Sequence, residues 1–257
     1  MLWEGGTDMK KTFLNSERAI ITSMVIAKTP ERVKELTDKS IACGAEAIGM
    51  QFEQLNPEYR NKETYKELFS YTDKPVYATN YRNYHNEGKS DEEIAEELLE
   101  LAECGATLVD VLGDLYDKTP GEVTMNEAAT AKQMELIGKL HEKGAEVLIS
   151  SHILKFTPAE KVLEIALEYQ RRGADIAKLV VGAENMEEQL ENLKIINLLK
   201  EKLSIPFLFL SGGECRLLRR IGGEIGCVMY LAVYEHDELA APAQPLLENL
   251  KAIRDNI

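Results

Sequence analysis

Along the chain, charged amphipathic stretches give way at a glycine to short, wholly apolar runs. The phrase recurs at ACGAEAIGM (42–50), ECGATLVDV (103–111), EKGAEVLIS (142–150) and RRGADIAKL (171–179). Glycine tolerates the left-handed conformation that ends a helix, and a continuous apolar run bounded in this way reads as a buried strand. The pattern predicts eight strands, near 19–26, 45–53, 75–81, 106–112, 145–153, 174–182, 206–212 and 227–234. Between them lie helical stretches such as TPERVKELTDKSIACG and SDEEIAEELLELAECG, opening on a Thr or Ser cap with acidic residues in the first turn. A last helical stretch, from about Pro242 to Ile257, brings the helices to eight as well.

Eight strands alternating with eight helices in 257 residues is the arithmetic of a (β/α)8 TIM barrel of the α/β class. A doubly wound sheet usually carries a glycine-rich phosphate fingerprint after its first strand, and none follows Ile20–Val25. No linker or low-complexity tract divides the chain, so residues 1–257 read as a single barrel domain, with 1–18 an N-terminal arm or bottom cap.

Composition narrows the partners. Lys and Arg number 30 against 44 Asp and Glu, a formal charge of −14, which disfavours nucleic acid and anionic membrane surfaces alike. No apolar run approaches the roughly 20 residues needed to cross a bilayer, and the first residues have no signal-peptide core, so a cytoplasmic protein is expected. Cys43, Cys104, Cys215 and Cys227 lack metal-ligand spacing, so neither a metal site nor a disulfide framework is expected.

In a barrel of this kind chemistry belongs at the C-terminal ends of the strands. The polar residues there are Gln51 and Glu53; Asn80, Tyr81 and Arg82; Asp110 and Asp114; Ser150, Ser151 and His152; Lys178; Ser211 with Gly212 and Gly213; and Glu235 with His236. Lys178 is the one lysine inside a predicted strand. Desolvation there disfavours an ammonium and frees an amine to attack a carbonyl, which points to a Schiff base. The plainer reading is a barrel lysine in a buried ion pair. His152 ends the adjacent strand and can move protons near an imine carbon.

These residues carry a resemblance. SHILKFTP (151–158), GADIAKLVV (173–181), SGGECRLLRRIGGEIG (211–226) and APAQ (241–244) are similar, in order and spacing, to stretches of the type I 3-dehydroquinate dehydratases. The resemblance implies a lyase that eliminates water from 3-dehydroquinate, or a related cyclic keto acid, in the shikimate pathway. It implies a homodimer and no metal or organic cofactor. On the matching positions, Lys178 would form the imine, His152 would be the general acid and base, Arg220 would grip the substrate carboxylate, and Gln244 would lie in a closing loop. Gln51, Arg82 and Asp110 would complete the substrate site.

The departures are as informative. Gly49 and Gln51 stand where the family has a Glu and an Arg, Leu112 where it has a Glu, Ile153 where it has an Asp and Ala240 where it has a Ser, while Arg82 fits only with a one-residue shift. Two other readings compete. SGGE after the seventh strand resembles the phosphate-binding turn of class I lysine aldolases, and the lost polar residues suit a non-catalytic relative.

Overall fold

Each apolar run becomes a strand of one parallel sheet in the computed structural model, which describes residues 11–257. The strands are β1 (Ile20–Val25), β2 (Ala47–Gln51), β3 (Val76–Thr79), β4 (Leu108–Leu112), β5 (Glu146–His152), β6 (Ile176–Gly182), β7 (Phe207–Gly212) and β8 (Met229–Ala232). The helices after them are α1 (Pro30–Ala42), α2 (Lys62–Ser70), α3 (Asp91–Cys104), α4 (Glu127–Glu142), α5 (Ala159–Arg172), α6 (Met186–Lys202), α7 (Leu218–Ile225) and α8 (Leu247–Arg254). Caps form as the sequence pattern predicts. Thr29 accepts from the Arg32 amide, Ser90 and Glu93 form a reciprocal capping box, and Gly105 and Gly173 end α3 and α5 with positive φ.

The strand order is β7-β6-β5-β4-β3-β2-β1-β8, each neighbour parallel, which is a nearly closed (β/α)8 barrel. At the β7/β8 seam a backbone bond runs from the Val228 amide to the Phe207 carbonyl at 2.9 Å. Beside it the Cys227 thiol accepts from the Phe209 amide at 3.4 Å and donates to the Phe209 carbonyl at 3.6 Å, filling the seam with a side chain. Burial pushes that thiol up to about 12, so Cys227 is packing rather than chemistry.

At the opposite end from the candidate residues, buried Phe13 donates its amide to Glu146, the first residue of β5, at 2.8 Å. Residues 1–10 of the expected arm or cap lie outside the described residues. No helix among the described residues is long and apolar enough to cross a membrane.

Register places the site. Met24 pairs with Gly49 and Gly49 with Tyr77, a row across β1, β2 and β3. On the other side Leu112 pairs with Ser150 and Ser150 with Lys178. Because side chains alternate across a strand, Lys178 and Val180, and likewise Ser150 and His152, share the inward face.

Candidate active site

The amine of Lys178 ends inside a closed set of hydrogen bonds. It donates to the Tyr81 hydroxyl at 2.7 Å, the Tyr77 hydroxyl at 3.0 Å and Asp110 Oδ2 at 3.1 Å. Both tyrosines donate in turn to Asp110 Oδ2, Tyr81 at 2.6 Å, and Ser150 donates to Asp110 Oδ1 at 2.5 Å. Burial works to raise the Asp110 carboxyl. The Lys178 charge and the three hydroxyls outweigh it, holding Asp110 below its ordinary value as a carboxylate. Burial and that same negative charge push both tyrosine hydroxyls well up, so they stay protonated.

The expected ion pair of the plainer reading is therefore present, yet it does not bury the lysine out of reach. Lys178 lines a cavity of about 190 Å³ together with Gln51, His152, Arg219 and Gln244. That cavity adjoins an outer one of about 820 Å³ that shares Gln51, Tyr81, His152 and Ala241 with it. His152 meets the Tyr81 ring edge-on, centroids 5.3 Å apart. Its Nδ1 lies 2.6 Å from Glu122 Oε2; facing a carboxylate, that nitrogen carries the hydrogen and Nε2 is left as the basic one.

Three expected roles change on this geometry. Arg220 is exposed and donates to the Arg216 carbonyl at 3.4 Å, whereas Arg219, one residue earlier on α7, turns into the cavity. A one-residue step rotates a helical side chain by about 100°, so the sequence could place the arginine on α7 but not choose between neighbours. Arg82 reaches the outer cavity with its guanidinium already spent on Asp91 at 2.7 and 2.8 Å, on Asp114 at 2.5 Å, and on the Asp114 carbonyl at 2.9 Å. It ties two loops together instead of facing a substrate. Asp110 lies behind Lys178 as its counter-ion and does not line the cavity. Gln51 and Gln244 do line it, and Gln244 Oε1 is buried without a hydrogen-bond partner among the described residues.

Arg219 is most telling for a ligand. Its Nε donates to the Ser211 carbonyl at 2.9 Å, and no carboxylate pairs with it among the described residues. Burial, with Arg216 adding repulsion, brings the guanidinium down to about 10. A partly buried cation without a counter-ion beside an amine is a ready receptor for an anion.

A profile of the type I 3-dehydroquinase family matches residues 21–256. The chain belongs to that family. It is 33% identical over 121 residues to a 3-dehydroquinate dehydratase of Alkaliphilus oremlandii, a match that spans about half the length of both proteins. Over 97% of this chain and 95% of its relative it is 25% identical to a 3-dehydroquinate dehydratase of Geobacillus thermodenitrificans. The crystal structure of 3-dehydroquinate dehydratase from Geobacillus kaustophilus superposes with a TM-score of 0.79 at 17% identity, covering 96% and 95% of the two chains, a likeness of fold.

The barrel wall at β2 is closely packed. A Cβ at Gly49 would collide with the Met24 thioether, so a larger residue at 49 requires Met24 to move. Leu112 is buried in the core. Sequence reasoning missed Glu122 and Tyr77. Glu122 sits at φ 59 in the loop after β4, where no periodicity points at it, and Tyr77 reads from sequence as an ordinary strand aromatic.

Proposed function

We propose that this protein eliminates water from a carboxylate-bearing cyclic ketone, 3-dehydroquinate or a close relative, through an imine on Lys178. The observation that carries the reading is the convergence of Lys178 and the unpaired Arg219 on one small cavity. Arg219 holds the substrate carboxylate and the carbonyl faces the amine. With Nδ1 held by Glu122, His152 removes the proton beside the imine carbon through Nε2. It then returns that proton to the hydroxyl leaving from the next carbon. The electron pair of the broken C–H bond becomes the new double bond as the C–O bond breaks.

The aldolase alternative loses its main support. The turn after β7 is closed by Glu184, whose carboxylate occupies the space a Cβ of Gly213 would need, an acidic side chain where a phosphate would have to bind. A cytoplasmic location and a homodimer belong to this proposal, the second checked by sedimentation.

Borohydride trapping with 3-dehydroquinate, read by intact mass and peptide mapping, tests the reading. Adduct is expected on the peptide holding Lys178 and none in Lys178→Ala or Lys178→Arg, since a guanidinium stays protonated. His152→Ala should still form adduct while turnover falls about 10²–10⁴-fold. Adduct on another lysine would overturn the assignment.

A further inference from the structure

Forming an imine from a lysine ammonium requires a definite proton count. The ammonium has three N–H bonds and the iminium keeps one, so two protons must leave nitrogen and depart with the carbonyl oxygen as water. Around Lys178 the three N–H bonds point at one carboxylate and two hydroxyls, Asp110, Tyr77 and Tyr81. Asp110 is a poor acceptor for a transferred proton, because Lys178 and three hydroxyl donors already stabilise its charge. The hydroxyls differ from it in kind: each can accept a proton on oxygen while giving up its own.

Of the two, Tyr77 is fully buried, whereas Tyr81 is partly exposed and lines both the inner and the outer cavity. Tyr81 also stands between the reacting groups, 2.7 Å from the Lys178 amine and edge-on to His152. A carbonyl carbon bonded to Lys178 Nζ would bring its oxygen toward this hydroxyl. We propose that Tyr81 is a further catalytic residue, relaying protons from the Lys178 ammonium to the substrate's carbonyl oxygen during imine formation; this rests on the Schiff-base reading above.

The steps balance without an outside base. In the first, the Tyr81 O–H turns from Asp110 to the arriving carbonyl oxygen, and an ammonium N–H proton passes to the Tyr81 oxygen as the Tyr81 proton passes to the carbonyl oxygen. The freed nitrogen pair forms the C–N bond, and the carbonyl π pair holds the arriving proton. The product is a carbinolamine protonated on nitrogen, still paired with Asp110. In the second, the same exchange moves another proton from nitrogen to the hydroxyl. The C–O bond breaks, water leaves with its electron pair, and the nitrogen pair closes the C=N bond. The remaining N–H stays on Asp110, the net charge never changes, and Tyr81 is never a phenolate, in keeping with a hydroxyl that resists ionisation here.

The test is the rate of adduct formation, separate from turnover. Protein is mixed with 3-dehydroquinate, quenched with borohydride at increasing times and weighed. Tyr81→Phe is expected to accumulate adduct at least about 10²-fold more slowly than wild type, to the same final stoichiometry. Accumulation at the wild-type rate overturns the relay. A second variant carries 2,3-difluorotyrosine at 81, which keeps the hydrogen bonds and makes the hydroxyl more acidic. A changed rate with a displaced pH–rate profile supports the relay, and an unchanged rate and profile overturn it even where Tyr81→Phe fails to fold. If wild type traps no adduct while remaining folded, the Schiff-base reading itself fails, a result distinct from both.

Discussion

Two adjacent arginines on α7 have opposite fates, and their substitution separates binding from surface chemistry. Arg219→Ala removes the unpaired cation of the cavity, and is expected to raise KM for a carboxylate substrate by about 10-fold or more, the worth of one charge-assisted hydrogen bond. Arg220→Ala, on an exposed residue, should leave steady-state kinetics near wild type. The reverse result would return the carboxylate grip to Arg220. Asp110 is a different kind of residue: Asp110→Ala leaves a buried ammonium without its counter-charge, at a cost of about 3–5 kcal/mol, which chemical denaturation would show as a lower midpoint. With His152 as the proposed acid and base, Glu122 would act through it, so Glu122→Gln should lower kcat with KM little changed and displace the pH–rate profile.

The end of β2 shows how an element adjusts to the residues it carries. Just past it, Glu53 is buried with both carboxylate oxygens on the Thr79 hydroxyl, at 3.0 and 3.2 Å. Burial raises its carboxyl from 4.5 to about 7. Because the folded state holds this proton more tightly than the unfolded chain, the contribution of Glu53 to stability is full below about 4.5 and is lost as pH rises through about 7, the cost at alkaline pH being about 3 kcal/mol. Thermal melts at pH 5 and pH 8 should show wild type losing stability relative to Glu53→Gln by several degrees; parallel melts would show that Glu53 ionises freely. The row Met24, Gly49, Tyr77 across β1 to β3 sets the other consequence, a wall with no charged side chain where the resemblance in sequence implies charge. Two or three unpaired substrate hydroxyls cost about 1–3 kcal/mol each. With 3-dehydroquinate kcat/KM is therefore expected below about 10⁴ M⁻¹s⁻¹, the lower edge of the ordinary range.

Across the whole molecule the barrel is least strongly joined between β7 and β8. β8 pairs with β1 through Met229–Ala232, while toward β7 the Cys227 side chain stands in for part of a backbone ladder. Fewer shared backbone bonds mean cheaper local opening. Hydrogen exchange followed by mass spectrometry should therefore show faster deuteration in peptides over 227–234 than in those over 146–152 and 176–182, strands paired on both sides. Equal protection would show the seam to be as firm as the rest. The loop after β8 is anchored on the other side, toward α1, Arg32 meeting Glu235 and Asp237, and within itself by His236 meeting the Gln244 carbonyl at 2.9 Å.

The barrel was legible in the chain because its signals are local. A glycine after a charged amphipathic stretch, followed by an apolar run, specifies helix end and strand without reference to distant residues, and repetition of that unit sets the class. Lys178 and His152 were legible for a similar reason, a charge and an imidazole being conspicuous in buried strands. What the chain alone could not decide is where side chains from different strands and loops meet. Asp110 reads from sequence as a substrate ligand and becomes the lysine's counter-ion, because the parallel register sets β4 beside β5 and β5 beside β6 around one interior. Arg82 and Arg219 were decided by which carboxylates, or none, their guanidiniums reach, and Glu122 by a loop that brings it to His152 from 30 positions away. Such contacts depend on angles and distances across the closed barrel, quantities that no periodicity along the chain records.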